Sequence, residues 1–468
     1  MSFMKRHWIS ALVALSLLST AAQLRTPAQV PTSANIDAPT RPNVLIIVTD
    51  DQRDGLGVMP ATRRWLVRGG TKFTKGFVTT PVCCPSRASI FTGRYTHNHH
   101  VFSNDGEGGN LIQQTTLQYY LKQAGYETGL FGKYLNGWDI AQAPPYFDQY
   151  AMTKTNAYHN HTWNVNGTLK PISDYNTVYL SHKVHHFLHG AGAQQSPWFL
   201  YLATAAPHSP FTPQRKYAHA PVSTWKGDPA VFEKDRSDKP SFVQKRHGGL
   251  AYGQSTREKQ FRTLMSVDDL VSKVFTNLRN LGEDKNTLVF LISDNGLMWG
   301  EHGLKHKKVP YDQSIHVPFL VRWPGHFLAH ATDSRIVANI DIAPTVLEAT
   351  GVTSNPAYPI DGRSLLGATS HRESLLTEQF AGQVAPSGSK WENWASIRTK
   401  YYEYTEYYQS DGTTVKFREY YDLSSDPWEL RNLLGDLDPF NDPDVASLSQ
   451  QLAHDRACEG TVGPTACP

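Results

Sequence analysis

The chain has 468 residues, and its 45 Lys and Arg against 42 Asp and Glu give a formal net charge of +3. A charged fraction of 19% and an aromatic fraction of 11% are ordinary for a folded protein, so the composition excludes an intrinsically disordered chain. The small net charge gives no support for a nucleic-acid partner. The length predicts one large domain with a buried core and a smaller second one.

The N-terminus is typical of an export signal. Lys5 and Arg6 precede an apolar run from Trp8 to Leu18, and small residues at 19–22 suit cleavage. The run is shorter than the ~20 residues of a membrane-spanning helix, which favours export over a membrane anchor. We therefore expect a signal peptide at 1–22, a linker at 23–41, and a secreted protein in a non-cytoplasmic compartment without stable membrane insertion.

The next segments alternate between apolar runs and helical patterns. Strands are predicted at 43–48, 129–131, 198–202 and 287–292, and helices at 117–124 and 264–281. Short, β-branched apolar runs suit strands that are buried on both faces, so this order predicts an α/β fold with a mostly parallel central sheet flanked by helices. The polar stretch 210–257 is predicted to be a long functional loop over the sheet edge.

Polar side chains follow several of these strands. They are Asp50, Asp51, Lys133, His208, Asp294 and Asn295. Because ligands bind beyond the carboxyl ends of strands in open α/β sheets, these residues are expected to converge on one site. The two aspartates after the first strand and the Asp-Asn pair after a later one are hard oxygen donors, which suit Ca²⁺ or Mg²⁺. The alternative is that each pair only ends its strand in a turn.

Near residue 385 the pattern changes. Tyrosine-rich runs at 401–408 and 415–420 flank Asp411-Gly412, which predicts an antiparallel hairpin within a smaller C-terminal subdomain at 386–468. At this spacing the tyrosines favour strand packing over carbohydrate stacking. Cys458 and Cys467 suit a disulfide in an exported protein, with two free thiols as the alternative.

Residues 83–87 (Cys-Cys-Pro-Ser-Arg), followed by Thr92-Gly93-Arg94, form the most informative stretch. They place a thiol at a predicted helix start, where unpaired N–H groups and the helix dipole favour an anion. Adjacent cysteines pair only through a strained ring, so Cys83 and Cys84 are poor disulfide partners. The stretch resembles the signature of the sulfatase family, Cys-X-Pro-Ser-Arg followed by Thr-Gly-Arg.

Further segments match the same family in order, from about residue 42 to 435. They are Gly125 to Lys133, Ala206 to Pro210, Gly300 to Gly303 with Lys307 and Tyr311, Val317-Pro318, Asn339 to Thr345, and Tyr421 to Pro427. The resemblance implies an alkaline-phosphatase-like fold with a catalytic domain at 42–385. It also implies a substrate that is a small-molecule or saccharide sulfate ester, hydrolysed to release inorganic sulfate.

The resemblance implies the chemistry as well. In this family the first cysteine of the motif, here Cys83, is oxidised to formylglycine by a formylglycine-generating enzyme, and the hydrate of this aldehyde attacks the sulfate ester. A metal, Ca²⁺ in preference to Mg²⁺, is held by four side chains together with the modified Cys83. These four are Asp50, Asp51, Asp294 and Asn295. Arg87, Lys133 and Lys307 would stabilise charge, and His208 would protonate the leaving alcohol.

One position departs from the common family pattern. Many sulfatases have a histidine two residues after the lysine, the expected base for sulfate elimination, and this chain has Leu135 there. His306 and His97 are the remaining candidates. The Lys-Tyr-Leu-Asn version at 133–136 resembles the N-acetylglucosamine-6-sulfatase branch, which favours a sugar sulfate, although arylsulfatases share most of these positions.

Two other functions remain open from the sequence. A phosphoesterase or phosphonate hydrolase could use a related site on the same fold. A non-catalytic carbohydrate-binding protein would carry an unmodified Cys83.

Overall fold

The computed structural model describes residues 41–153, 158–194, 196–367, 371–381 and 392–468. These residues belong to one compact unit, Arg41–Pro468. The predicted signal peptide at 1–22 and all but the last residue of the linker at 23–41 lie outside the described residues, as does the predicted boundary after residue 385. That boundary stays a prediction.

Fourteen strands form two sheets within the described residues. They are β1 (Asn43–Thr49), β2 (Thr71–Phe77), β3 (Glu127–Gly132), β4 (Gln149–Thr153), β5 (His161–Val165), β6 (Thr168–Ile172), β7 (Trp198–Ala203), β8 (Thr287–Ser293), β9 (Phe319–Arg322), β10 (Ala331–Ala338), β11 (Ser374–Gln379), β12 (Asn393–Thr399), β13 (Tyr402–Tyr408) and β14 (Val415–Asp422).

The α-helices of the described residues are α1 (Pro60–Thr62), α2 (Cys83–Thr92), α3 (Thr96–His99), α4 (Leu117–Gln123), α5 (Asn176–Gln194), α6 (Ser241–Gln244), α7 (Leu250–Asn280), α8 (Asp312–Ile315), α9 (Ile342–Thr350) and α10 (Val445–Asp455). Arg63–Val67 is a π-helical turn. The 3-10 turns are Leu56–Val58, Glu107–Asn110, Gln113–Thr115, Arg215–Tyr217, Pro229–Val231, Glu301–Gly303, Asn339–Asp341 and Leu433–Gly435.

The larger sheet is mixed but mostly parallel. Its ten strands follow the order β10-β2-β9-β8-β1-β7-β3-β4-β5-β6. The pairs β8–β1, β1–β7, β7–β3 and β3–β4 are parallel, whereas β9 and β5 run against their neighbours. The smaller sheet is antiparallel, in the order β11-β12-β13-β14. Both results confirm the predicted fold class.

The central strands are buried on both faces. In β1, Val44, Ile46 and Val48 pack in one apolar cluster and Leu45 and Ile47 in another, because successive side chains of a strand point to opposite faces. The first cluster also contains residues of α2, α4, α9 and the smaller sheet, and the second contains residues of α5 and α7. The larger sheet therefore lies between helical layers, and no helix of the described residues has the length and apolar character needed to cross a bilayer.

Most of the predicted elements are confirmed. The four predicted strands are β1, β3, β7 and β8, the first predicted helix is α4, and the hairpin is β13–β14. Tyr404, Tyr407 and Tyr408 are buried in the core, which confirms strand packing for the tyrosine cluster. Cys458 and Cys467 form a disulfide, whereas Cys83 and Cys84 are free and buried.

The predicted loop at 210–257 and the predicted start of the second helix are partly wrong. Helix α7 begins at Leu250, so the last residues of the expected loop are helical, and α6 lies within it as well. The N-terminal part of α7 lacks a continuous apolar stripe. It is held by close packing instead, since a Cβ on Gly253 would approach the Trp299 carbonyl oxygen to 1.9 Å.

Candidate active site

The carboxyl ends of the central parallel strands meet at one edge of the larger sheet. Val48 of β1 pairs with Ala203 of β7, Thr49 pairs with Ser293 of β8, and Gly132 of β3 pairs with Ala203. Backbone hydrogen bonds continue past the strand ends: the Asp294 amide donates to the Thr49 carbonyl at 3.0 Å and the Lys133 amide to the Ala203 carbonyl at 3.0 Å. The register therefore places the residues that follow these strands side by side.

Four side chains from different parts of the chain converge beyond this edge. One donor atom each of Asp50, Asp51, Cys83 and His208 lies within 4.8 Å of the others. The Cys83 Sγ lies 3.6 Å from Asp50 Oδ1, and the His208 Nε2 lies 3.5 Å from Asp51 Oδ2. The structure thus brings together residues that are distant in sequence.

Three cations face three carboxylates in the same cluster. Lys133 Nζ lies 2.6 Å from Asp50 Oδ2, and Lys307 Nζ pairs with Asp51 Oδ1. Arg87 Nε donates to Asp294 Oδ2 at 2.9 Å. With Asn295, whose Nδ2 donates to Asp51 Oδ1 at 2.6 Å, all nine residues singled out in the sequence for this site lie in one network.

Burial and charge act against each other in this network. Burial would raise the pKa of Asp50, but the charges of Lys133, His208 and Arg87 outweigh it and hold this pKa far below its ordinary value. Burial and the neighbouring Asp50 charge raise the pKa of Asp294. Burial would lower the pKa of Lys307, but the Asp51 charge raises it well above its ordinary value. The lysines therefore stay cationic at neutral pH.

Cys83 is the first residue of α2, and all ten residues of this helix are buried. Burial, with the Asp50 charge second, raises the pKa of the Cys83 thiol to about 11. A thiol with this pKa is protonated at neutral pH and is a poor nucleophile. Lys307 Nζ lies 2.9 Å from its Sγ, whereas Cys84 Sγ contacts the Asn136 carbonyl at 3.5 Å. Only Cys83 belongs to the charged cluster.

His208 is the partly exposed member of the cluster, with 20% of its side chain accessible. Its Nδ1 lies 2.7 Å from the Ser209 carbonyl oxygen. Because a carbonyl only accepts, Nδ1 is the donor in this contact. The other ring nitrogen, Nε2, therefore faces Asp51 and the other site residues.

Two supporting residues were not predicted from the sequence. Gln260 of α7 donates from Nε2 to the carbonyls of Asp51 at 2.9 Å and of Pro207 at 3.2 Å, which ties two strand ends together. Gly132 has a φ of 110°, and a Cβ there would lie 1.7 Å from the Ala203 carbonyl oxygen. A lone glutamine on a helix carries no sequence signal, but Gly132 lies in the matching segment before Lys133.

The donor set fits a hard metal ion. The Asn295 Nδ2 donates to Asp51 and to the Gly296 carbonyl, which orients the amide and leaves its buried Oδ1 without a hydrogen bond in the described residues. A buried acceptor without a partner is costly unless a ligand satisfies it. Carboxylate and amide oxygens are the ligands that Ca²⁺ prefers.

The position of the missing histidine is occupied by a core residue. Leu135 is buried in the apolar cluster that also contains Val44, Ile46 and Val48 of β1. His97 is excluded as its substitute, because its Nδ1 lies 3.0 Å from Glu378 and its Nε2 lies 2.9 Å from the Cys458 carbonyl. His306 is exposed and lines a cavity that also includes Lys307. Of the two histidines suggested by the sequence, only His306 lies near the site.

The contacts of His97 predict a pH-dependent stability. Burial would lower the pKa of His97, but the Glu378 charge outweighs it and raises this pKa to about 9. A folded-state pKa above the unfolded value gives stability that is fully present below about pH 6.5 and is lost as pH rises through about 9. We expect the excess free energy of unfolding of the wild type over His97→Gln to fall by about 1–3 kcal/mol between pH 6 and 9.5.

Urea unfolding at a series of pH values measures this difference. The exposed His219 provides the matched control, since His219→Gln removes an imidazole that makes no buried ion pair in the described residues. A stability difference for His97→Gln that stays constant over this pH range would contradict the assignment of His97 to a buried charged pair.

Comparisons with known proteins match most of the length of the chain. The sulfatase family model matches residues 42–352, and the model described as N-sulphoglucosamine sulphohydrolase, C-terminal, matches residues 300–457. The human N-acetylglucosamine-6-sulfatase is 32% identical over 456 residues, which cover 85% of this chain and 82% of that protein.

The Drosophila melanogaster extracellular sulfatase SULF-1 homologue is 36% identical over 367 residues, or 73% of this chain. This chain spans only 32% of that relative's length and 48% of its Caenorhabditis elegans counterpart's length. Among solved structures, a protein in complex with its substrate D-glucosamine-2-N,6-O-disulfate superposes with a TM-score of 0.75 at 21% identity, covering 88% of this chain and 97% of that one. At this identity the likeness establishes the fold.

Proposed function

The chain belongs to the sulfatase family, and we propose that it hydrolyses sulfate esters and releases inorganic sulfate. One observation carries the proposal: donor atoms of Asp50, Asp51, Cys83 and His208 lie within 4.8 Å of one another at the carboxyl edge of the sheet. Cations surround this group, which suits it to a dianionic or monoanionic ester.

The residues of the site suit a bound Ca²⁺ ion and a formylglycine at position 83. Asp50, Asp51, Asp294 and Asn295 would hold Ca²⁺, and Cys83 would be converted to formylglycine by a formylglycine-generating enzyme. When present, formylglycine hydrate would supply the nucleophile and Ca²⁺ would supply charge neutralisation at the sulfate. The unpartnered Oδ1 of Asn295 supports the metal, and the protonated, poorly nucleophilic thiol of Cys83 agrees with a role as precursor.

The cationic side chains bind and orient the sulfate group. Lys307 Nζ is 2.9 Å from the Cys83 Sγ, so its charge lies beside the reacting position. Lys133 approaches the same place from the end of β3, where it contacts Asp50. Arg87 is anchored by Asp294 and by the Lys133 carbonyl, which its Nη1 contacts at 3.0 Å. Because these donors are fixed before substrate binds, charge that develops on the sulfuryl oxygens meets prealigned partners.

His208 supplies the proton that the leaving alcohol needs. The contact of its Nδ1 with the Ser209 carbonyl leaves Nε2 facing the site, and the side chain is partly open to solvent. A sugar alkoxide is a poor leaving group, so protonation at this position contributes most for sugar sulfates and less for aryl sulfates.

We propose a sulfated saccharide as the substrate class. The motif at 133–136 and the 32% identity to an N-acetylglucosamine-6-sulfatase support a sugar sulfate. The apolar run at 8–18 and two relatives named as extracellular sulfatases support export to a non-cytoplasmic compartment.

The test combines peptide mass spectrometry with two assays. In protein from the native host, we expect the tryptic peptide that contains residue 83 to carry an aldehyde at that position. We also expect 4-nitrophenyl sulfate to be turned over faster than 4-nitrophenyl phosphate. A free thiol in all of this material would contradict sulfatase action, and faster phosphate turnover would favour the phosphoesterase alternative.

A further inference from the structure

A basic cavity adjoins the reacting group. It has a volume of about 260 Å³, and Lys307 forms part of its wall. The same Lys307 contacts the Cys83 Sγ at 2.9 Å. Lys307 is therefore shared by the wall of the cavity and by the contacts of the reacting position. It is smaller than the clefts of roughly 300–1,000 Å³ that hold drug-sized ligands, so it suits one sugar unit.

The side chains around this cavity carry positive charge. Lys245, Arg246 and Lys305 are exposed at its rim, and no acidic residue lines it within the described part of the chain. Two acids of neighbouring segments are engaged elsewhere: Glu233 pairs with His302 at 2.9 Å and Glu301 with Arg53 at 2.7 Å. These two carboxylates therefore do not neutralise the rim cations, of which Lys305 places its Nζ 5.3 Å from the centre of the Tyr252 ring.

Two histidines complete the rim, His247 and His306. Partial desolvation of the imidazole lowers the pKa of His306, and the Arg246, Lys307 and Lys305 charges lower it further against the opposing charge of Asp51. This crowding is what a positive local potential produces. Phe242, Met298 and Leu304 also line the cavity, and Phe242 is the partly exposed one that can pack on the face of a sugar ring.

The two segments that form the cavity are fixed to each other. The Gly248 amide donates to the Gly303 carbonyl at 2.6 Å, and a Cβ on Gly248 would lie 2.6 Å from the same oxygen. Tyr252 donates to the Lys305 carbonyl at 2.6 Å, and Arg236 donates to the Arg246 carbonyl at 2.9 Å. The rim is thus largely formed before a ligand arrives, which lowers the entropic cost of binding.

We propose that this cavity is a second anion subsite, which binds a sulfate or carboxylate on the sugar next to the one whose sulfate is cleaved. The proposal rests on the sulfatase function, and it makes the preferred substrate an oligosaccharide with acidic groups on adjacent rings. Lys245, Arg246 and Lys305 hold the second anion, and Phe242 packs on its ring.

Calorimetric titration tests the subsite without turnover when it is done on protein with Cys83→Ala. The probes are three synthetic disaccharides: one with a sulfate on each ring, one with a sulfate and a carboxylate, and one with a single sulfate. We expect the first two to bind at least ~10-fold more tightly than the third. Whichever of the two binds better identifies the second anion.

A triple variant should remove this difference in affinity between the doubly and the singly charged probes. It carries Lys245→Gln, Arg246→Gln and Lys305→Gln in addition to Cys83→Ala. The matched control carries Lys170→Gln, Lys285→Gln and Lys400→Gln, which remove three exposed cations away from the cavity. In the protein that carries only Cys83→Ala, the dissociation constant of the doubly charged probes should also rise more steeply with salt than that of the singly sulfated probe.

Equal affinity for all three probes would overturn the proposal, as would an equal loss of affinity for all three in the triple variant. Failure of the sulfatase function has a different signature. The native protein would then turn over no sulfate ester, while the comparison of probes would still decide whether the subsite exists.

Discussion

Replacing Cys83 with alanine is expected to lower kcat/KM for an aryl sulfate by on the order of 10⁴-fold or more, because the group that supplies the nucleophile is removed. The neighbouring Cys84→Ala should retain most of the activity. Cys84 Sγ contacts the Asn136 carbonyl and packs in the core, so its loss costs about 1 kcal/mol of stability rather than a reacting group.

Steady-state kinetics and thermal unfolding of both variants separate the two effects. The adjacent cysteines form a matched pair, since both are fully or almost fully buried in the same helical turn. Equal losses of kcat/KM at equal stability would contradict the assignment of Cys83 as the reacting position.

Removal of the proposed Ca²⁺ by a chelator should give the second largest effect. Several kcal/mol of charge stabilisation are lost with the ion, so we expect kcat to fall by roughly 10³-fold and to recover when Ca²⁺ is added. Binding also stabilises the fold: at 100 times Kd, Ca²⁺ should add about 2.7 kcal/mol to the free energy of unfolding. Thermal unfolding therefore reports the ion independently of turnover.

A pair of aspartates tests which residues hold the ion. Asp51→Asn should reduce the stabilisation by Ca²⁺, whereas Asp54→Asn should leave it unchanged, because Asp54 is exposed three residues further along the chain. Full activity of the chelated wild type would contradict the metal. Equal stabilisation by Mg²⁺ would contradict the identity of the ion.

The elements that lie nearest the site were predictable from the sequence. β1 and β8 are apolar runs that end in polar residues, and β7 leads into the segment that carries His208. Parallel strands bring their carboxyl ends to one edge whatever their separation in the chain. The family resemblance then selected Lys307, which follows no predicted strand. The parallel centre of the larger sheet and the hairpin of the smaller one followed from the same patterns, whereas the antiparallel strands β5 and β9 were not predicted.

The features that were missed depend on contacts between distant segments. His97 is a plausible base by its residue type, but its partner Glu378 is 281 positions away. The start of α7 was missed because close packing of Gly253 on Trp299 replaces an apolar stripe. The basic cavity arises where the backbones of Gly248 and Gly303 touch, and neither segment shows this contact locally.

The burial of α2 has a consequence for the timing of the proposed conversion of Cys83. Cys83 is only 2% exposed, and every other residue of this helix is buried as well. An oxidising enzyme that must reach this thiol has access only while the helix is unpacked. We therefore expect Cys83 to be converted only during synthesis and export, before the chain has folded. Chains that fold with an unmodified Cys83 should stay inactive. Adding the formylglycine-generating enzyme to such folded protein should not restore activity.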